Sequence, residues 1–367
     1  MSGSGSGSGS GVEEWVMSND TDPGEEDEFY ESYKTTKMIM IGLYVIIILF
    51  SLVGNSLIIH LVRTRKSIRK NPFYWLIVNT AVADLVNVIA ISIWLIAFGH
   101  QPGVFGTVLC KGLAYVLFIS ICAASWTLTI IAVDRYLVIV YLRGRTLSSR
   151  SVLRSIITVW LCAALVSSVH LYKNKAEMDE SVQYCYEEWH EDEEMNNTFF
   201  KAEVILKFVL TYAVPLVVMA ILYFLIARFL WTHKPPVSVN QHAHINQGRK
   251  RKTAIKIFTV VTVFAVCWFP VNVSMIMFEY YYEELYDIPV VLLWLFDWLS
   301  YANTAIRPWL FIAFGEHLRR GAKEIYRHLR NKLRLRTRST PNPGTNDDPL
   351  PRCVTPKANG RTAEQDA

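Results

Sequence analysis

Charge is scarce in this chain. Only 19 % of its 367 residues are Asp, Glu, Lys or Arg, against about 25 % in ordinary soluble proteins, while 52 % are hydrophobic and 13 % aromatic. That shortage excludes a disordered chain, a coiled coil and a basic nucleic-acid-binding domain, so no nucleic-acid partner is expected. Cysteine is sparse as well: six in this length do not make a disulfide-rich secreted module. Nothing alternates polar with apolar in runs of about ten residues, which excludes the strands of a membrane β-barrel. A cleavable leader is not expected either, because the first apolar run begins only at Met38 and is long enough to be an anchor.

What the chain has instead is length of apolar sequence. Crossing the hydrocarbon layer takes roughly 20 residues as a helix. Residues 38–62 and 257–278 carry no Asp, Glu, Lys or Arg, and 155–172 carry only His170 near their end. Four more runs hold isolated charges: 72–98 (Asp84), 108–140 (Lys111, Asp134, Arg135), 199–231 (Lys201, Glu203, Lys207, Arg228) and 288–314 (Asp297, Arg307). Hydrocarbon leaves no partner for a backbone amide except its own helix, so all seven runs are expected to be helical. The fold class is therefore an all-α membrane protein, a seven-transmembrane helix bundle. Its expected divisions are a flexible acidic segment 1–37 that opens on Ser-Gly repeats, the bundle 38–314, an amphipathic juxtamembrane helix 315–330 and a disordered tail 331–367.

The connections differ in charge from one face to the other. Residues 1–37 set Glu13, Glu14, Asp20, Asp22, Glu25, Glu26, Asp27, Glu28 and Glu31 against Lys34 and Lys37. The link between spans 4 and 5 is acidic from Glu177 to Glu194, and that between spans 6 and 7 has Glu279, Glu283, Glu284 and Asp287 without a base. The opposite face holds Arg63, Arg65, Lys66, Arg69 and Lys70, then Arg143, Arg145, Arg150 and Arg154, then Arg249–Lys252, then the basic stretch after Arg319. Lys and Arg stay cytoplasmic, so the expected protein is a multi-pass plasma-membrane protein with its N-terminus outside and C-terminus inside. Asn19 and Asn196 open glycosylation sequons on the outer face; Asn272-Val273-Ser274 also matches but lies inside span 6.

A charge near the middle of a bilayer costs about 2.5–3.5 kcal/mol on insertion scales, so charges there are expected to be paired or functional. Asp84 sits in mid-span 2, Asp134-Arg135-Tyr136 closes span 3, and span 6 carries Phe264 and then Cys267-Trp268-Phe269-Pro270, whose proline bends the helix. Taken with Gly54-Asn55, Cys110, Trp160, Pro215 and Tyr223, these landmarks run in the order and on the sides of a known pattern. Over about residues 38–330 the chain resembles a rhodopsin-like (class A) G-protein-coupled receptor, in its neuropeptide receptor branch.

That resemblance implies roles. Cys110 and Cys185 are expected to form the disulfide tying the second outer loop to span 3, while Cys122, Cys162 and Cys267 pack inside spans. Arg135 is held by Asp134 at rest and released toward Tyr223 and a heterotrimeric G protein; Tyr136 completes that motif and Leu142 plugs into the G protein. Phe264, Trp268 and Pro270 pass ligand contact into outward movement of span 6. Arrestin and receptor kinases are further expected partners, the latter at tail Ser and Thr residues, and the helix after span 7 is expected to lie on membrane lipid. One departure stands out. The family's Asn/Asp-Pro-x-x-Tyr in span 7 reads Arg307-Pro308-Trp309-Leu310-Phe311 here. An Asp84–Arg307 ion pair in place of a sodium ion is expected, with the hydroxyl of the usual tyrosine lost at Phe311.

The outer pocket is read partly by exclusion. Leu117 stands where amine receptors carry aspartate, and Tyr301 stands where opsins carry the retinal lysine; the second outer disulfide usual in chemokine receptors has no cysteines to form it. By helix position Trp94, Leu117, Phe118, Lys207, Thr211, Asn272, Met275, Glu279, Asp297 and Tyr301 are expected to line the cavity. The acidic outer field favours cationic ligands, and the interleaved aromatics suit Arg-containing or amidated peptides. The expected function is thus a receptor for an extracellular peptide. Two alternatives stay open: a lipid or small-carboxylate receptor anchored by Lys207, and a transporter or channel, for which no internal repeat is visible. No catalytic pairing of Asp, Ser, His or metal ligands occurs at mid-depth, so neither an enzyme, a metal site nor a cofactor is expected.

Overall fold

A computed structural model describes residues 23–100, 106–141, 147–179, 182–232, 241–281 and 289–338. Its spans are α1 (Pro23–Thr64), α2 (Phe73–His100), α3 (Thr107–Tyr141), α4 (Ser149–Lys173), α5 (Glu193–Thr232), α6 (Gln241–Tyr280) and α7 (Val290–Phe314), followed by α8 (Glu316–Arg338). Among the described residues, six of these helices are long and apolar enough to cross a membrane; α7, with 25 residues, is the seventh. Two helices start at a capping side chain. Ser148 accepts from Ser151 N ahead of α4, and Asp192 accepts from Met195 N ahead of α5, with Glu193 and Glu194 in the first turn facing the positive end of the helix dipole.

α3 is central and packs against α2, α4 and α5; α6 joins α5 to α7, and α7 returns to α1. The spans are apolar on the outside as well as within, and their polar groups lie inside. Ile46, Leu49 and Phe50 of α1, Leu161 and Leu165 of α4, and Ile221 and Phe224 of α5 are exposed, whereas Asn55, Asn79, Asp84, Asn87, Asn303 and Arg307 are buried. The buried amides then stitch helices together. Asn79 donates to Thr127 Oγ1 at 2.8 Å and accepts from Trp160 Nε1 at 2.8 Å, joining α2, α3 and α4. Asn55 donates to the Thr304 carbonyl, joining α1 to α7.

Four features go beyond the sequence reading. Helix α1 begins at Pro23, so part of the segment expected to be flexible is helical. A π-helical turn ends α3 at Leu137–Tyr141, and a second interrupts α5 at Val209–Ala213. In the second, the Thr211 carbonyl accepts from Ser125 Oγ of α3 at 2.6 Å. The outer link between α4 and α5 folds into a hairpin of β1 (Asn174–Asp179) and β2 (Val182–Glu187), pairing Ala176 with Cys185. Finally, α8 runs to Arg338, into the expected tail. Cys162 is a correction: it is exposed on α4, while Cys122 and Cys267 are buried as expected. The chain divides into two units, Met1–Ala322 and Lys323–Ala367.

Helices α1 and α7 approach so closely at Gly54 that a Cβ there would lie 2.7 Å from Pro308 Cγ. Gly54→Val is expected to cost about 1–3 kcal/mol through overpacking, read as a lower thermal midpoint of the purified receptor. Gly42→Val, where nothing lies within 4 Å, should leave the midpoint unchanged.

Candidate ligand cavity and signalling core

The end of the bundle that carries the basic connections gathers the first group of candidate residues. Asp134 is buried and Arg135 donates to it from Nε at 2.9 Å. The guanidinium also lies 3.7 Å from the centre of the Phe73 ring on α2, a cation–π contact that sequence reading missed. Tyr223 is buried with its hydroxyl unbonded among the described residues, and its ring meets Phe258 edge-on. Tyr136 stands half-buried beside Arg135. The inner end of α6 is tied to the end of α7 by Lys256 Nζ, which donates to the Phe314 carbonyl at 3.0 Å. Leu142 and Asn19 lie outside the described residues.

Higher up, one polar chain crosses the bundle from α6 to α2. Trp268 Nε1 and Arg307 Nη2 both face the side-chain amide of Asn303, whose oxygen, turned toward them, accepts from both, the first at 3.2 Å. Arg307 Nη1 then lies 3.1 Å from Asp84 Oδ1, both residues almost wholly buried. Phe264 packs on Trp268 and on Tyr212, below the Pro270 that interrupts the hydrogen bonds of α6. Pro308 and Phe311 are buried on α7. A small cavity lies among Asp84, Asn87, Ser120, Phe264, Trp268 and Arg307. A guanidinium here does for Asp84 what no neutral side chain can, since it brings a full charge and a donor to the same oxygen.

At the outer end, Cys110 and Cys185 are disulfide-bonded with Cα atoms 5.8 Å apart, which holds β2 to the top of α3. Beneath the hairpin lies a charge cluster of which the sequence showed only parts. Lys173, fully buried, sits 2.6 Å from Glu187 Oε2 and 2.9 Å from Glu203 Oε1. Lys207 is 2.6 Å from the same Oε1, and Trp189 Nε1 donates to Glu203 Oε2 at 2.9 Å. The Glu203–Lys207 spacing of four residues on one helix was the available signal; Lys173 and Glu187 offered none. Outside the spans, a hydrogen bond to Glu188 holds the Lys175 ammonium above its ordinary value.

The other expected cavity residues fall as follows. Leu117 and Phe118 are half-buried on α3, with Lys207 Nζ 5.5 Å from the Phe118 ring centre. Trp94 is half-buried on α2. Thr211 is buried and donates to its own helix at the Lys207 carbonyl, and Asn272 does likewise at the Trp268 carbonyl. Met275 is 54 % exposed. Asp297 accepts from the Tyr44 hydroxyl at 2.7 Å, and the Tyr44 ring packs against Tyr301. Lys207 therefore pairs with Glu203, not with Asp297, because Glu203 lies one turn away on its own helix. Glu279 is half-buried and makes no hydrogen bond or ion pair among the described residues. Asn196 is half-buried, its oxygen accepting from the Trp189 amide at 2.8 Å.

Seven helices around a polar axis, roofed by a hairpin that is disulfide-bonded to the third, define a multi-pass membrane receptor. Residues 54–311 match the family described as 7 transmembrane receptor (rhodopsin family), and the chain belongs to that family, whose members are receptors rather than enzymes. It is 26 % identical to galanin receptor 2a of Danio rerio over 81 % of this chain and 80 % of that one. The QRFP-like peptide receptor of Branchiostoma floridae shows the same identity and the same two shares. With the substance-P receptor of Rattus norvegicus the identity is 28 %, over 77 % of this chain and 70 % of the relative.

Removing one half of the buried pair strands the other. Arg307→Leu is expected to lower stability by about 3–5 kcal/mol, read by thermal unfolding of the purified receptor. Asp84→Asn combined with Arg307→Leu should recover most of the loss, because no unpaired charge is left inside.

Proposed function

We propose that this receptor is activated by an extracellular cationic peptide, Arg-containing or amidated, and signals to a heterotrimeric G protein. The observation that carries the reading is the charge balance of the outer cavity. Three of its lysines are already answered: Lys173 by Glu187 and Glu203, Lys207 by Glu203, Lys175 by Glu188. Glu279 has no such partner among the described residues, and Asp297 is bonded to the neutral Tyr44 hydroxyl. A cavity whose unmatched charge is negative favours a guanidinium or ammonium over a carboxylate. Relatives named for galanin, a QRFP-like peptide and substance P support a peptide as the class of ligand. The same balance counts against a lipid or small carboxylate anchored by Lys207, since its ammonium is engaged.

The basic connections put the N-terminus outside and the C-terminus in the cytoplasm. Ligand contact near Trp268 loosens the polar chain through Asn303 and Arg307, the inner end of α6 swings outward, and Arg135 leaves Asp134 to meet the G protein with Tyr136, Leu142 and Tyr223 around it. Arrestin and receptor kinases would read the same face. Arg307 supplies in cis the positive charge that a dissolved cation would otherwise bring to Asp84.

Screening a library of Arg-containing and amidated peptides on cells expressing the receptor tests the ligand class. Responders are expected, and Glu279→Ala should weaken them roughly 10- to 100-fold, the scale of a charge-assisted bond. A response to fatty acids alone would replace this reading. Agonist affinity in membranes should be flat as sodium is added. A steep fall with sodium that Arg307→Asn leaves unchanged would remove the role given to Arg307.

A further inference from the structure

Four charged side chains close into one knot where α4, the hairpin and the outer turns of α5 meet. Two positive and two negative charges cancel within it, yet they are not equally accessible. The side chains of Lys173 and Glu203 are 0 % and 5 % exposed, whereas that of Lys207 is 30 % exposed and its ammonium stands over the ring of Phe118. Of the two lysines, Lys207 is the one a ligand can touch, and Glu203 answers its charge from behind at 2.6 Å. Glu203 is in turn held by Lys173 and by the Trp189 indole, so it is not free to swing away.

We propose that Glu203 sets the charge class of the ligand end admitted to this side of the cavity. It is a tethered carboxylate that fills the place on Lys207 a ligand carboxylate would take. An uncharged end such as a C-terminal amide then enters, while a free acid must displace a buried glutamate already bonded to two ammonium groups and an indole. Glu203 acts through Lys207 and is a positioning residue for specificity. The inference deepens the peptide-receptor reading and rests on it.

Replacing Glu203 with Gln keeps the volume and an acceptor for Trp189, leaves Lys173 its partner Glu187, and frees Lys207. The probes are paired synthetic peptides, identical except for a C-terminal amide or free acid, built on an Arg-containing sequence that activates the wild type in the library screen. The wild type should prefer the amide by about 10- to 100-fold. Glu203→Gln should shrink that preference at least about tenfold by raising the potency of the acid, Glu203→Asp should retain it, and adding Lys207→Gln to Glu203→Gln should abolish the gain. Surface expression and thermal midpoint establish that each variant folds; Glu203→Asn takes the place of Glu203→Gln if the latter does not reach the surface. An unchanged amide-to-acid ratio in the neutral variant, or a gain that survives loss of Lys207, overturns the proposal and leaves the peptide reading standing. A library with no responder overturns both.

Discussion

A side chain on a helix surrounded by hydrocarbon has no water to turn to, so a polar group in these spans is drawn inward, to a partner on its own helix or on a neighbouring one. The whole architecture follows from that constraint. It places Ile46, Leu161 and Phe224 outward and Asn55, Asn79 and Asp84 inward, among apolar neighbours. The inward groups then decide which helices touch. Asn79 alone reaches α3 through Thr127 and α4 through Trp160. The Asp84–Arg307 pair is the strongest case, since two charges at that depth are tolerable only together.

The polar axis also joins side chains that are far apart in the sequence. Trp268 on α6, Asn303 and Arg307 on α7, and Asp84 on α2 form one hydrogen-bonded chain. At the inner end, Arg135 is held twice, by Asp134 and by the face of Phe73, while Lys256 binds the end of α7. These contacts tie α2 to α3 and α6 to α7 at that end. At the outer end the disulfide and the Lys173 cluster hold the hairpin from two sides, which makes the roof of the cavity a packed element rather than a loose loop.

Much of this was legible beforehand. Length and lack of charge are sufficient to identify spans, because the cost of an unpaired backbone amide in lipid leaves helix as the only solution. Asp84 and Arg307 were legible as partners because the family resemblance sets the residue before the span 7 proline beside the span 2 aspartate, and here that residue carries a positive charge. The cavity was less legible. Tyr44 and Asp297 are far apart in sequence and their hydrogen bond has no spacing rule behind it. Lys207 drew attention as a ligand anchor, and only its neighbour one turn earlier, together with Lys173 and Trp189 from other elements, reveals that its charge is occupied. The hairpin between α4 and α5 was also invisible, because its strands are short and crowded with acids that read as a solvated loop.

The amino-acid sequence by itself determined the number of spans, the pairing of Asp84 with Arg307 and the family, since each of these follows from local composition or from motifs along the chain. The tertiary structure alone decided which carboxylate neutralises which lysine, where the polar chain from Trp268 runs, and which acids are left unmatched around the outer cavity. Those outcomes depend on distances of about 3 Å between helices, and a Coulomb interaction or hydrogen bond that short is set by packing angle and helix rotation, neither of which any single helix encodes.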